Sequence, residues 1–252
     1  MKKVIEYFVT KQAAAEIYVG TDYKETSISS NVYKIIRNCQ LQGGLAIACG
    51  DAGIGKTQAC RQYYREHGTN CIYITVNPCI KSSKSVLELI GSKLNVSSGS
   101  VSRLWLEISS KLSDGMVIIV DEAQHLTRNA IDTLRSLCDC FDEKGQTLGI
   151  CFVGNETTVS RLGGKQKAEF AQIRNRTKNT RFYSVKQIKK SDIEMLFPDI
   201  REDTTAVEFL LCIAQSPQAI RGAVNLYSNA LDNGNVTAKG LSAIAKYMDM
   251  AV

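Results

Sequence analysis

No apolar run in this 252-residue chain approaches the ~18 residues that a membrane-spanning helix requires; Met116-Val-Ile-Ile-Val120 is typical of the longest. The opening residues, Met-Lys-Lys-Val-Ile-Glu, carry charge but no continuous apolar core, so no signal peptide is read. No CxxC pair occurs, and the only two histidines, His67 and His125, complete no zinc spacing with the nine cysteines. Several of those cysteines (Cys49, Cys151, Cys212) lie inside apolar runs, where a free thiol behaves as a small buried hydrophobe. Reduced thiols in a cytoplasmic protein are therefore expected. At 44% hydrophobic and 22% charged, the composition excludes disorder, collagen and coiled-coil filament, and fits one large domain or a main domain with a smaller companion.

The net charge of +6 is unevenly spread, since residues 157–191 hold ten lysines and arginines against one acid, Glu169. Such a segment reads as a solvated face, a polyanion site or an interface with a neighbour's phosphates.

Five short β-rich runs punctuate the chain: 45–49, 71–76, 116–120, 148–153 and 180–185. Their near-continuous hydrophobicity predicts strands covered on both faces, as in a parallel sheet wrapped by helices. Helical patterns fall near 57–66, 84–94, 100–112, 129–142 and 166–177. From about 188 strands give way to short helices near 190–197, 204–215, 217–232 and 237–249. The expected layout is an N-terminal arm (1–30, with a helix over 2–16 and then a loop), an α/β core (31–187) and a small helical lid domain (188–252).

One motif dominates the chemistry. Gly50-Asp51-Ala52-Gly53-Ile54-Gly55-Lys56-Thr57 matches G-x-x-x-x-G-K-[ST] in full, between a predicted strand and a predicted helix. Glycines let such a loop turn its N–H groups toward phosphate oxygens, and the following helix adds the positive end of its dipole. Lys56 is expected to reach the β- and γ-phosphates and Thr57 to coordinate Mg²⁺. The run Met116–Val120 then ends in Asp121-Glu122. A buried strand has no structural need for two carboxylates at its tip. Asp121 is expected to hold Mg²⁺, partly through water, and Glu122 to polarise an attacking water. The fourth run ends in Val153-Gly-Asn155, where an amide beside the phosphate loop suits a γ-phosphate sensor or, alternatively, a helix cap.

These pieces together resemble the AAA+ ATPases, and within them the phage Mu B and TnsC-like target-DNA activators of transposition. The matching stretches are Leu45–Thr57, Val117–Leu126 and Leu148–Arg176, the last with Gly163-Gly164 and Glu169-Phe-Ala-Gln-Ile-Arg-Asn-Arg176 as its most specific part. The resemblance implies a P-loop AAA+ parallel sheet followed by an all-helical lid. It implies that Arg176 reaches the neighbouring subunit's nucleotide, with Arg174 and Arg181 as near alternatives, and that Arg221 in the lid senses phosphate. The adenine would lie against Tyr23, Thr26 and Val32. DNA contacts would come from two loops, through Lys81 and Lys84 in the first and Ser98, Ser100 and Arg103 in the second, although relatives carry more basic residues in the second loop. About 30 residues precede the matching region, a layout nearer the short TnsC-like regulators than Mu B, which has an added helix-turn-helix domain.

The function read from the sequence is an ATP- and Mg²⁺-dependent AAA+ ATPase that assembles with itself as a helical or ring oligomer on duplex DNA, independent of sequence. It would deliver target DNA to a DDE-type transposase and activate it. Two rivals remain: a helicase-loader-like ATPase, and a nucleotide-gated scaffold or signalling switch with little hydrolysis.

Overall fold

A computed structural model describes residues 23–158 and 177–250 of the chain. Among the described residues five parallel strands form one sheet in the order β2-β3-β4-β1-β5. They are β1 (Gly44–Gly50), β2 (Cys71–Thr75), β3 (Met116–Asp121), β4 (Leu148–Gly154) and β5 (Thr177–Tyr183). β1 lies between β4 and β5, with Ala48 paired to both Val153 and Arg181. The order places the ends of β1, β3 and β4 side by side, and those ends carry Gly50, Asp121 and Gly154.

Alternation along the strands sorts the core into two layers. Ala46, Ala48, Val117, Ile119, Cys151 and Val153 face one side. There they meet helices α1 (Ser27–Gln42) and α2 (Lys56–His67). Leu45, Ile47, Ile118, Val120, Ile150 and Phe152 face the other side and meet α3 (Ser83–Lys93), α4 (Val101–Lys111) and α5 (Arg128–Asp142). Small residues on the α1/α2 face (Ala46, Ala48) let those helices sit close to β1. Burying each large apolar side chain contributes ~1.5–3 kcal/mol.

After β5 the described chain is helical: α6 (Lys190–Leu196), α7 (Thr204–Ala214), α8 (Ala219–Asp232) and α9 (Ala238–Tyr247). Their buried side chains, including Leu210, Leu226 and Leu241, join the α1/α2 layer.

Three expectations are corrected. The loop expected up to residue 30 gives way at Ser27 to α1, whose Thr26 N-cap side chain accepts from the Ser29 N–H; Ile28, Val32, Ile35, Ile36 and Cys39 then face the sheet on one helical stripe. The fifth strand starts at Thr177 and ends at Tyr183, earlier than its apolar residues suggested. Among the described residues it is an edge strand paired with β1 alone, and most of its side chains are not buried and leave little apolar signal. Cys212 is exposed, because α7 turns Val207, Leu210, Ile213 and Ala214 inward and Cys212 outward. The cysteines are free, and Cys39, Cys49, Cys60, Cys71, Cys138 and Cys151 are buried. The helix expected over 2–16 lies outside the described residues, as does that over 166–177 except for Thr177. Among the described residues no helix is long and apolar enough to cross a membrane.

Candidate nucleotide site

The phosphate loop starts where β1 runs out. At Gly50 a Cβ would stand 2.0 Å from the Tyr183 carbonyl oxygen, so only glycine lets the loop leave the sheet against β5. Asp51 fixes that departure: its N–H donates to the Tyr183 carbonyl at 3.0 Å and its Oδ2 accepts the Val185 N–H at 2.8 Å. Lys56, half-buried in the first turn of α2, donates to the Gly50 and Asp51 carbonyls at 3.0 and 2.6 Å. Burial lowers its pKa, against the opposing pull of the Asp121 and Glu122 carboxylates. A cation held by loop carbonyls is exchangeable: phosphate oxygens are stronger acceptors for the same donors.

The two nucleotide motifs meet directly. Thr57 Oγ1–H donates to Asp121 Oδ2 at 2.9 Å, joining the start of α2 to the end of β3. Asp121 is almost fully buried, and desolvation raises its pKa although Thr57, Tyr73 and the Glu122 N–H donate to it. A hydroxyl and a carboxylate brought together at the mouth of a phosphate loop form a hard-oxygen pair of the kind Mg²⁺ takes, so the residues present fit that ion. Among the described residues there is no separate cluster of three or more His, Cys, Asp and Glu side chains for a metal. Glu122 follows in the left-handed region at φ 58°, rare for a non-glycine residue, and its side chain is exposed at the strand tip.

The other expected residues fall around this centre. Asn155 is exposed just past β4, and its Oδ1 accepts from the Thr157 N–H and hydroxyl at 3.0 and 2.6 Å, a capping arrangement. Arg221 is exposed on α8 beside the loop, its N–H donating to the Gly53 carbonyl at 3.1 Å. Thr26 Oγ1 lies 3.9 Å from where Gly55 would carry a Cβ. Tyr23 donates to Ser29 Oγ at 3.1 Å, and Val32 is buried in the α1 layer. Asp51 and Ala52 line an open cleft of about 460 Å³ together with Val185, Lys186, Gln215 and Pro217. Ile54 is fully buried. Arg174 and Arg176 lie outside the described residues. Arg181 is exposed on β5.

The two loops expected to meet DNA are tied together by a carboxylate. Glu88 on α3 accepts from Ser98 at 2.7 Å and sits 3.9 Å from Lys84. Ser100 caps α4 by accepting the Arg103 N–H, and the Arg103 guanidinium pairs with Glu107 at 2.6 Å. Lys81 is exposed. Exposed pairs of this kind contribute at most ~1 kcal/mol each, so a phosphate can replace the carboxylate.

Tyr73 and Gln124 escaped the sequence reading. Tyr73 on β2 donates to Asp121 Oδ2 at 2.9 Å, and its own pKa is pushed up to about 12, by burial first and by the Asp121 charge second. No spacing rule marks a tyrosine on the neighbouring strand. Gln124, in contrast, stands two residues after Glu122, and that spacing is the signal that could have found it.

Comparison with known proteins agrees with this fold. Residues 39–162 match the AAA domain family. The chain is 29% identical over 236 residues to the ATP-dependent target DNA activator B of Escherichia phage Mu, covering 90% of this chain and 71% of that protein. It is 28% identical over 237 residues to the Mu-like prophage FluMu DNA transposition protein B of Haemophilus influenzae, covering 90% and 79%. Among solved structures it is similar to Cdc6p from Pyrobaculum aerophilum, with TM-score 0.67, 15% identity, and 92% and 70% of the two chains covered. It is also similar to the Aeropyrum pernix ORC1 protein in complex with DNA, with TM-score 0.60, 14% identity, and 92% and 67% covered.

Proposed function

We propose that this chain, which has the AAA+ fold and resembles the target DNA activators of Mu-like phages, is an ATP-driven assembly switch that works on duplex DNA in transposition. The observation that carries the reading is the Thr57–Asp121 hydrogen bond at 2.9 Å, which brings the phosphate loop and the acidic strand tip into one site.

In this reading the loop N–H groups from Gly50 to Thr57 hold the phosphates, and Lys56 exchanges the Gly50 and Asp51 carbonyls for β- and γ-phosphate oxygens. Thr57 and Asp121 hold Mg²⁺, which when bound neutralises phosphate charge. Glu122, the exposed carboxylate of the pair, accepts a proton from the attacking water, and Asn155 orients the γ-phosphate through its amide nitrogen. Tyr23 and Thr26 flank the base. Arg221 from the helical region contacts phosphate in its own subunit, and Arg176 supplies a positive charge to the neighbour's site, so that ATP both completes the interface and is hydrolysed there. Self-assembly into a helical or ring oligomer then lines up Lys81, Lys84, Ser98, Ser100 and Arg103 from successive subunits along the DNA backbone, phosphate by phosphate and without regard to sequence. The assembly presents target DNA to a DDE-type transposase, and hydrolysis releases it. A domain boundary near 187, separating core from lid, gives the nucleotide a hinge to close.

Glu122→Gln tests this most simply. The variant keeps Asp121 and the loop, so it is expected to bind ATP normally, to lose turnover by at least 10²-fold, and to remain on DNA after wild-type protein has dissociated. Turnover equal to wild type would remove Glu122 from the mechanism.

A further inference from the structure

Gln124 lies where the two strand tips of the site meet. It sits in the short 3₁₀ turn Ala123–His125 that follows Glu122. Its Nε2 donates to Glu122 Oε2 at 2.5 Å, and its Oε1 accepts the Asn155 N–H at 3.3 Å. The two partners fix the amide's orientation: a carboxylate only accepts and a backbone N–H only donates, so a flipped amide would face two like groups. The tip of β4 leaves room for this bridge. A Cβ on Gly154 would stand 2.5 Å from Gln124 Oε1 and 2.2 Å from Thr158 Oγ1, so a side chain there would displace the amide. Glu122 itself is exposed, and among the described residues Gln124 is the hydrogen-bond partner of its carboxylate.

An exposed carboxylate with one anchor points where the anchor sends it. We propose that Gln124 is a positioning residue for hydrolysis: it couples the backbone at Asn155 to the rotamer of Glu122. The base is then aimed at water when the β4 tip has been set by a γ-phosphate. This rests on reading Glu122 as the base. The bridge makes the sensor loop and the base a single unit, joined by one side chain across β3 and β4 rather than two groups acting separately.

The test compares steady-state ATP turnover of wild type, Gln124→Met, Glu122→Gln and the double variant. Methionine matches glutamine in length and removes both hydrogen bonds. Gln124→Met is expected to lower kcat about tenfold while KM for ATP stays within about twofold, the signature of lost transition-state placement rather than lost binding. In the Glu122→Gln background the same change is expected to have no further effect on kcat, because the group being aimed is already gone. A kcat within twofold of wild type overturns the proposal. So does a loss of kcat matched by a rise in KM or by a lower melting temperature, which would indicate damage to the fold. So does a further loss in the Glu122→Gln background. If Glu122→Gln itself turns over like wild type, the base assignment and this proposal fall together; if it is inactive and Gln124→Met is normal, only this proposal falls.

Discussion

Asp121 is asked to be buried and charged at once. Desolvation raises its pKa above the ordinary 3.8, and donors from Thr57, Tyr73 and the Glu122 N–H act against that rise without cancelling it. The folded chain therefore keeps the Asp121 proton to higher pH than the unfolded chain does. By linkage, the stability this group contributes falls as pH climbs from 3.8 through the raised folded value, and is flat beyond both. The stability advantage of wild type over Asp121→Asn, from urea titrations without nucleotide, is thus expected to shrink across that interval. A pH-independent difference would mean that burial does not set the protonation of this group. At this scale the sequence was most legible where spacing encodes geometry. Eight consecutive residues announce the phosphate loop, and two carboxylates after an apolar run announce the acidic strand tip beside it. Tyr73 was not legible, because its contact with Asp121 depends on which strand is neighbour to which, and nothing in Cys71-Ile-Tyr-Ile-Thr75 declares that.

Elements were read well where burial is two-sided. β1, β3 and β4 are covered by helices on both faces, so their apolar runs and their boundaries coincide within a residue or two. α1 was missed because its first turn is serine-rich and its apolar stripe (Ile28, Val32, Ile35, Ile36, Cys39) begins inside a polar stretch. The same helix is held at its start by a contact far away in sequence. Buried Asp192, on α6, accepts the Ser27 N–H and hydroxyl at 2.7 Å each and the Lys189 N–H at 2.8 Å. One carboxylate thus caps α1 and α6 and ties the chain beside the phosphate loop to the helical region. Asp192→Ala leaves three part-buried donors without their acceptor, and each that water does not reach costs ~1–3 kcal/mol. The urea midpoint is expected to fall accordingly, with the slope unchanged. An unaltered midpoint would show that water satisfies these donors equally well.

At the scale of the whole molecule, the proposed function requires nucleotide shared between subunits and a DNA surface built from many copies. Lys84 and Arg103 are each paired with a glutamate on their own helix, so in the proposed function these two side chains of a single subunit offer DNA only a weak contact. Repetition along the duplex multiplies a weak contact, and counterion release makes the sum steeply salt-dependent. The basic stretch 157–191, partly outside the described residues, was visible from composition alone. Composition alone does not choose between a solvated face, a polyanion site and an interface with a neighbour's phosphates, because an interface made by assembly leaves no periodicity in one chain. The most direct measurement is retention of duplex DNA by wild-type protein on filters, across a salt series, with ATP or with ADP. The account predicts strong retention with ATP, little with ADP, a steep loss as salt rises, and no dependence on DNA sequence. Retention that is equal with ATP and ADP, or absent with both, would contradict it.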